Sequence, residues 1–159
     1  MKTRIFSLLL VLPLLLCIFA SCGEGTKTDV TIDITALSTD LAKVSFVDEM
    51  VALSAEAISA RYGFAASASS VIVYGGSGAT PEEIIVAEYA SEADAKSAMA
   101  GFEEHLEAQK TTFDDYNAEY RPLLNDTVLE QIGKYIVYCV CDAPADAKTV
   151  VNNHKTAAN

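Results

Sequence analysis

Ser77 has the surroundings that come closest to those of a catalytic nucleophile. Residues 75–79 read GGSGA, which approximates the G-x-S-x-G turn of α/β-hydrolases with Ala for the last Gly. Asp126 and His154 follow in the order in which those enzymes place their other catalytic residues. Against this, Pro81 and a predicted strand follow the serine instead of a long helix. His154 adjoins a predicted frayed tail, so we do not expect it to be held at hydrogen-bond distance from a partner. We therefore interpret the segment as a glycine-rich turn, and a small hydrolase using Ser77 ranks third among the possible functions.

Metal ligands are sparse in this sequence. The two histidines, His105 and His154, are far apart, so a paired-histidine site is not expected, and we interpret His105 as a boundary residue of a helix. Three carboxylates gather near the end of a predicted helix: Asp114, Asp115 and Glu119. Their oxygens could bind calcium weakly, but the spacing is not that of a calcium loop, and a solvated acidic helix end is the simpler interpretation. With no phosphate loop, dinucleotide motif or zinc pattern, we predict no cofactor.

Cys22 is the strongest candidate for covalent modification. Residues 1–21 start with Lys2 and Arg4, continue with an apolar run at 5–20, and end with small residues. This order is typical of a secretion signal, and the run is shorter than the ~20 residues of a membrane-spanning helix. The letters FASC resemble the bacterial lipoprotein signal motif, which predicts cleavage before Cys22 and its acylation with palmitate-like chains. An uncleaved anchor or an ordinary cleaved signal is the alternative.

The remaining chain divides into a tether, a folded unit and a tail. Residues 22–29 are too polar and glycine-rich to fold alone, residues 30–155 are predicted to form one domain, and 156–159 are predicted to fray. The net charge is −11. Such an acidic surface repels phosphate, so we expect no nucleic acid partner and contact with the membrane through lipidated Cys22 alone. The location that follows is the outer face of the cytoplasmic membrane.

Cys139 and Cys141 lie two positions apart in a predicted strand. Their side chains therefore share one face, with Cα atoms about 6.6–6.8 Å apart, at the limit of disulfide geometry. We predict two buried free thiols. A strained redox pair or a soft-metal site is the alternative.

One long helix at 92–116 dominates the predicted fold. Its apolar stripe recurs at steps of three and four, at Ala95, Met99, Phe102, Leu106, Gln109, Phe113 and Tyr116. Strands are predicted at 71–74 and 83–89 before it, and a hairpin at 127–141 after it. The prediction is an α+β single domain: a mostly antiparallel sheet of about four strands packed against the long helix, with additional short helices and with the helices on one face of the sheet.

Weaker signals give several local predictions. Asp33 and Asp48 are expected to cap two short helices, the second containing residues 50–62. A single helical turn is predicted at residues 80–83, and Pro122 is expected to keep Arg121 out of a helix. Gly101 inside the long helix indicates a close approach by another backbone.

Several short motifs share a resemblance to one family. They are residues 78–86 (GATPEEIIV), Gln109 followed by 113–116 (FDDY), 133–137 (GKYIV), 46–50 (FVDEM) and Tyr62 with Gly63. Together they resemble an uncharacterised bacterial lipoprotein family, domain of unknown function 4358, over residues 41–142. The resemblance implies a secreted, lipid-anchored protein of Gram-positive anaerobes. It implies no activity and no catalytic residue.

Two binding functions explain the sequence better than catalysis does. The first hypothesis is a non-catalytic, surface-anchored module that binds an envelope protein or other envelope component. The second is a small-molecule or cation-binding accessory lipoprotein. A pocket lined by polar groups beside residues 75–81 would favour the second, whereas a filled core with an exposed apolar patch would favour the first.

Overall fold

The computed structural model describes residues 30–157, in which seven strands and five α-helices form. The strands are β1 (Val30–Thr31), β2 (Val51–Ala52), β3 (Ser70–Gly75), β4 (Glu83–Glu88), β5 (Val128–Ile132), β6 (Tyr135–Val140) and β7 (Thr156–Ala157). The helices are α1 (Ile34–Leu41), α2 (Ala55–Arg61), α3 (Glu92–Tyr116), α4 (Arg121–Asn125) and α5 (Pro144–Asn153). None of these helices combines the length and apolar character needed to cross a membrane.

The main sheet has five antiparallel strands in the order β2-β3-β4-β6-β5. Glu83, the first residue of β4, lies between Gly75 of β3 and Val140 of β6. Strands β1 and β7 form a separate antiparallel pair. The α+β prediction is confirmed, and the two-residue strand β2 raises the sheet from about four strands to five.

Helices cover both faces of this sheet, so the prediction that they lie on one face is wrong. All six residues of β6 and five of the six in β4 are buried. Because neighbouring strand residues point to opposite faces, such strands need a cover on each side. Helices α1 and α5 pack on one face and α3 on the other.

Helix α3 follows its predicted pattern along most of its length. Ser91 caps it by accepting a hydrogen bond from the Asp94 backbone N–H at 3.1 Å. Phe102 and Phe113 of the apolar stripe are buried against the sheet, but Tyr116 at its end is 68% exposed. The last turn of the apolar stripe therefore lies outside the core.

The predictions made from weak signals fail at several places. Ser54, not Asp48, caps the second helix, because residues 51–52 pair with β3 before it begins. Residues 80–83 are not helical, and Arg121 begins α4 with Pro122 in the first turn, where proline is tolerated. Gly101 does meet a close neighbour, but this is the side chain of Phe64.

Two residues of the predicted frayed tail, Thr156 and Ala157, pair with Thr31 and Val30. The start and the end of the described chain therefore lie side by side.

Cys139 and Cys141 are buried free thiols in the core beneath α1 and α5, as predicted. A hydrogen bond with Cys141, followed by burial, raises the pKa of Cys139. The same hydrogen bond lowers the pKa of Cys141. Because both thiols are buried in the core, both side chains pack there as small groups.

Replacing Phe102 with Ala should destabilise the domain by about 3–5 kcal/mol, because the ring is fully buried and its removal leaves a cavity. Tyr116→Ala, a matched aromatic truncation at an exposed position of α3, should cost about 0.5 kcal/mol or less. Urea unfolding followed by circular dichroism measures both. Similar losses for the two variants would contradict this packing of α3.

Candidate functional site

A pocket of about 380 Å³ lies at the end of the sheet where β3 finishes and β4 begins. One wall comes from Gly75, Gly76, Gly78 and residues 80–83. The second half of α3 forms the opposite wall, and the end of α2 closes one side with Arg61 and Tyr62. The α3 residues that line it are His105, Gln109, Thr112, Phe113 and Tyr116. The pocket lies beside residues 75–81 and has both polar and apolar groups in its lining. Polar lining groups at this place are the feature that discriminates between the two binding hypotheses.

Glu83 is the centre of the pocket floor, with a side chain only 5% exposed. Its Oε2 accepts a hydrogen bond from the Tyr62 hydroxyl at 2.8 Å. Its Oε1 lies 2.5 Å from Nε2 of His105, which donates to the carboxylate, and accepts a longer bond of 3.4 Å from the Gln109 amide. Two donors from α3 and one from Tyr62, directly after α2, therefore converge on one buried carboxylate, as a buried charge requires.

Aromatic rings surround this carboxylate on the side of α3. The His105 ring lies 4.9 Å from that of Phe64 and 5.6 Å from that of Tyr138. Burial, and next the neighbouring Glu83 charge, raise the pKa of both Tyr62 and Tyr138. The Tyr138 hydroxyl is close to Glu83 but makes no well-formed hydrogen bond within the described chain. Both phenols therefore stay protonated, and that of Tyr62 can keep donating.

Glu82, the neighbouring acidic residue, is also buried but binds backbone. Its carboxylate accepts hydrogen bonds from the N–H groups of Val47 at 2.8 Å and of Asp48 at 2.8 Å. Thr80 adds a third donor at 3.2 Å. Glu82 thus fastens the segment before β2 to the wall of the pocket.

Asp48 continues this connection towards the glycine-rich turn. Its Oδ2 accepts from the Ser77 backbone N–H at 2.6 Å and from the Ser77 hydroxyl at 2.5 Å. These bonds lower the pKa of Asp48. A Cβ on Gly76 would approach Oδ2 to 2.7 Å, so the turn needs glycine there to let the carboxylate in. The GGSGA segment therefore holds Asp48.

The proposed hydrolase residues are not assembled as hydrogen-bonding partners. Ser77 bonds to Asp48, whereas His154 lies outside the pocket lining with Nε2 2.9 Å from Oδ2 of Asp40 on α1. The expectation that His154 would be poorly held is thus wrong, although its partner is not a nucleophile. Asp126 ends α4 as its C-terminal capping residue.

The acidic residues near the end of α3 do not gather around a common point. Asp114 forms an ion pair with Arg121. Asp115 and Glu119 are exposed. Within residues 30–157, no three side chains of His, Cys, Asp or Glu are grouped so that they could hold a metal ion. Cys22, the predicted lipidation site, lies outside the described residues.

Sequence reasoning missed the floor of the pocket. It treated Glu82 and Glu83 as part of a helical turn and His105 as a boundary residue. The available signal was the position of two carboxylates directly before a run of apolar β-formers at 84–87, because acidic residues entering a buried strand need specific partners. No sequence pattern indicated that Tyr62 and Gln109 would be the hydrogen-bond partners of Glu83.

Ser77→Ala should raise the pKa of Asp48 towards the ordinary aspartate value, because the hydroxyl bond favours the ionised carboxylate. In the native protein this contribution to folding is fully present above the unfolded-state pKa, about 3.9, and is lost as the pH falls through the lower folded-state value. NMR titration of the Asp48 carboxyl carbon measures the change. Ser67→Ala, at an exposed serine away from Asp48, is the control, and an unchanged Asp48 titration in Ser77→Ala would contradict the assignment.

The family model described as Domain of unknown function (DUF4358) matches residues 42–141, which include the whole pocket lining. A search of curated proteins and a search of solved structures found no match. The match covers more than half of the 159-residue chain and agrees with the resemblance of its short motifs. This chain belongs to the family Domain of unknown function (DUF4358).

Proposed function

We propose that this protein is a surface-anchored lipoprotein that binds a small polar ligand, without catalysing a reaction, in the pocket between the glycine-rich turn and α3. The observation that carries the proposal is the pocket itself, with polar groups from α2, β4 and α3 converging on one volume. The carboxylate at its floor is held by hydrogen bonds from α3 and from Tyr62, directly after α2. By the criterion set from the sequence, this favours an accessory ligand-binding module over the first hypothesis.

The positions of the pocket and of the chain start suit an anchored receptor. Val30 and Thr31 line a surface depression together with Ser91 and Lys134, beyond the end of β4. The pocket lies at the beginning of the same strand. Helix α3 spans the two ends, and its 25 residues are about 37 Å long at ~1.5 Å per residue. A lipid on Cys22 would therefore be joined to the end of the domain that is distant from the pocket.

We propose that the pocket does not catalyse a reaction, because the two side chains that could act as base or nucleophile are already hydrogen-bonded to carboxylates. Nε2 of His105 is engaged with Glu83, and the Ser77 hydroxyl is engaged with Asp48. Neither residue has the other as a hydrogen-bond partner. Binding needs such fixed polar groups, whereas a nucleophile needs an adjacent base.

Binding of an envelope protein is the second candidate, and one observation favours it. Within the described chain, three large hydrophobic side chains are exposed: Val47, Val51 and Tyr116. Val51 pairs with Gly75 of the pocket wall, and the Val47 backbone binds Glu82 of the same wall. All three therefore belong to the pocket end, where a partner could cover them.

Thr112→Trp should abolish ligand binding, because Thr112 is exposed and lines the pocket, so that the indole would occupy its volume. Thr111→Trp is the matched control, at the neighbouring exposed position outside the lining. Each protein is mixed with a metabolite extract of the source cells, and bound molecules are identified by native mass spectrometry. A ligand retained by Thr112→Trp, or no bound ligand on the unchanged protein, would contradict the proposed site.

Cys22→Ser should release the protein from the membrane, because it removes the thiol that would carry the acyl chains. Cys17→Ser, inside the apolar run of the signal, is the matched control and should leave the protein in the membrane fraction. Fractionation reports the location, and mass spectrometry of the native protein reports the modification. An unmodified residue 22 in membrane-bound protein would refute the anchor.

A further inference from the structure

Both carboxylates in the pocket lining are already satisfied by groups of the protein. Glu82 accepts hydrogen bonds from two backbone N–H groups and from the Thr80 hydroxyl. Glu83, with a side chain only 5% exposed, accepts from Tyr62 and from two side chains of α3. A buried charge with several donors needs no further partner, so neither carboxylate presents a negative charge that a ligand has to neutralise.

Arg61 is the charged group of the pocket lining that has no partner within the described residues. It lies in the last turn of α2, is exposed, and makes no hydrogen bond or ion pair with any residue of 30–157. Most other basic side chains of this part of the chain do form ion pairs, namely Lys43, Lys110, Arg121, Lys134 and Lys155. The donors of Arg61 are therefore available to a ligand.

The available charge is positive and single, which limits the ligand to one negative charge. A guanidinium binds a carboxylate or a phosphate group through two parallel hydrogen bonds. Among the described residues that line the pocket there is no lysine, and the one histidine, His105, is engaged with Glu83. A phosphate monoester carries about −1.5 to −2 at pH 7, so Arg61 would leave part of that charge unpaired. A carboxylate carries a single charge, which one guanidinium matches.

The apolar part of the lining indicates what the rest of the ligand is. Pro81, Phe113 and Tyr116 contribute carbon surface, and the two rings lie edge to face with their centroids 6.0 Å apart. The cavity of about 380 Å³ is near the lower end of the range for small-molecule sites, roughly 300–1,000 Å³. It therefore suits a short alkyl chain or a single ring.

We propose that the ligand is a small monocarboxylate whose apolar part is a short alkyl chain or one aromatic ring. Arg61 binds its carboxylate through two parallel hydrogen bonds, and the apolar part packs against Phe113 and Tyr116. This inference rests on the proposed function of the pocket and names the class of molecule that it takes.

The test uses the purified full-length protein in detergent and a panel of defined probes. The carboxylates are butyrate, hexanoate, benzoate and phenylacetate, and calorimetry compares each with its neutral amide. Phenyl phosphate represents the alternative anion. We expect at least one carboxylate to bind, and its amide to bind about ten- to a hundredfold more weakly, because the amide lacks the charge that pairs with Arg61. Phenyl phosphate should bind more weakly than the best carboxylate.

Arg61→Gln should weaken carboxylate binding by a similar factor, about ten- to a hundredfold, and leave the affinity for the amide unchanged. Lys148→Gln is the matched control, because it also removes an exposed positive charge without an ion-pair partner in the described chain, but outside the pocket lining. It should change neither affinity. Far-ultraviolet circular dichroism checks that both variants are folded.

Both variants are also mixed with the metabolite extract used for Thr112→Trp, so that a carboxylate absent from the panel is tested too. Three results would overturn the inference while leaving the pocket as a binding site. One is an amide that binds as tightly as its carboxylate, and another is a carboxylate that Arg61→Gln binds as tightly as the unchanged protein does. The third is a molecule of another charge class that binds more tightly than any carboxylate. If the unchanged protein binds no small molecule, the inference and the proposed function both fall.

Discussion

Two adjacent carboxylates at the entry to a buried strand determine how this end of the domain is built. Glu82 and Glu83 are both almost fully buried, and consecutive residues at the edge of a strand point to opposite faces. An unpartnered charge in such a place costs several kcal/mol, so each face of the sheet has to supply donors. Backbone N–H groups of Val47 and Asp48 do so on one side, and Tyr62 with residues of α3 on the other. The pocket is the space left where these structures meet.

The glycine-rich turn shows how one sequence pattern serves a different purpose from the one it suggests. In a hydrolase, glycines around the serine permit a strained turn that exposes the nucleophile. Here Gly76 leaves room for the carboxylate of Asp48, and Ser77 donates two hydrogen bonds to it. Small residues and a hydroxyl are needed in both cases, since both require a polar group close to backbone. The letters alone therefore could not separate catalysis from the fastening of a loop.

Features that depend on neighbouring residues could be predicted from the sequence, whereas contacts between distant residues could not. Periodicity located α3, and Gly133, at φ +55°, marked the turn of the β5–β6 hairpin, because these signals come from neighbouring residues. The segment before α2 was misassigned because it is held by Glu82, 35 residues further along the chain. Asp40 and His154 are 114 residues apart, and no pattern links them. The site is made mostly of contacts of this second kind, so its residues were visible individually but their grouping was not.

The charges of the pocket differ from those of the acidic surface around it. An acidic chain repels small anions over most of its surface, and screening confines that effect to about 8 Å in physiological salt. The wall of the pocket is a local exception because it includes the guanidinium of Arg61, while Glu83 adds a buried carboxylate to the floor. Hydrogen bonds from Tyr62, His105 and Gln109 hold the Glu83 carboxylate in a fixed position at the floor of the pocket. The floor of the pocket is therefore organised before a ligand arrives, which lowers the cost of ordering side chains on binding.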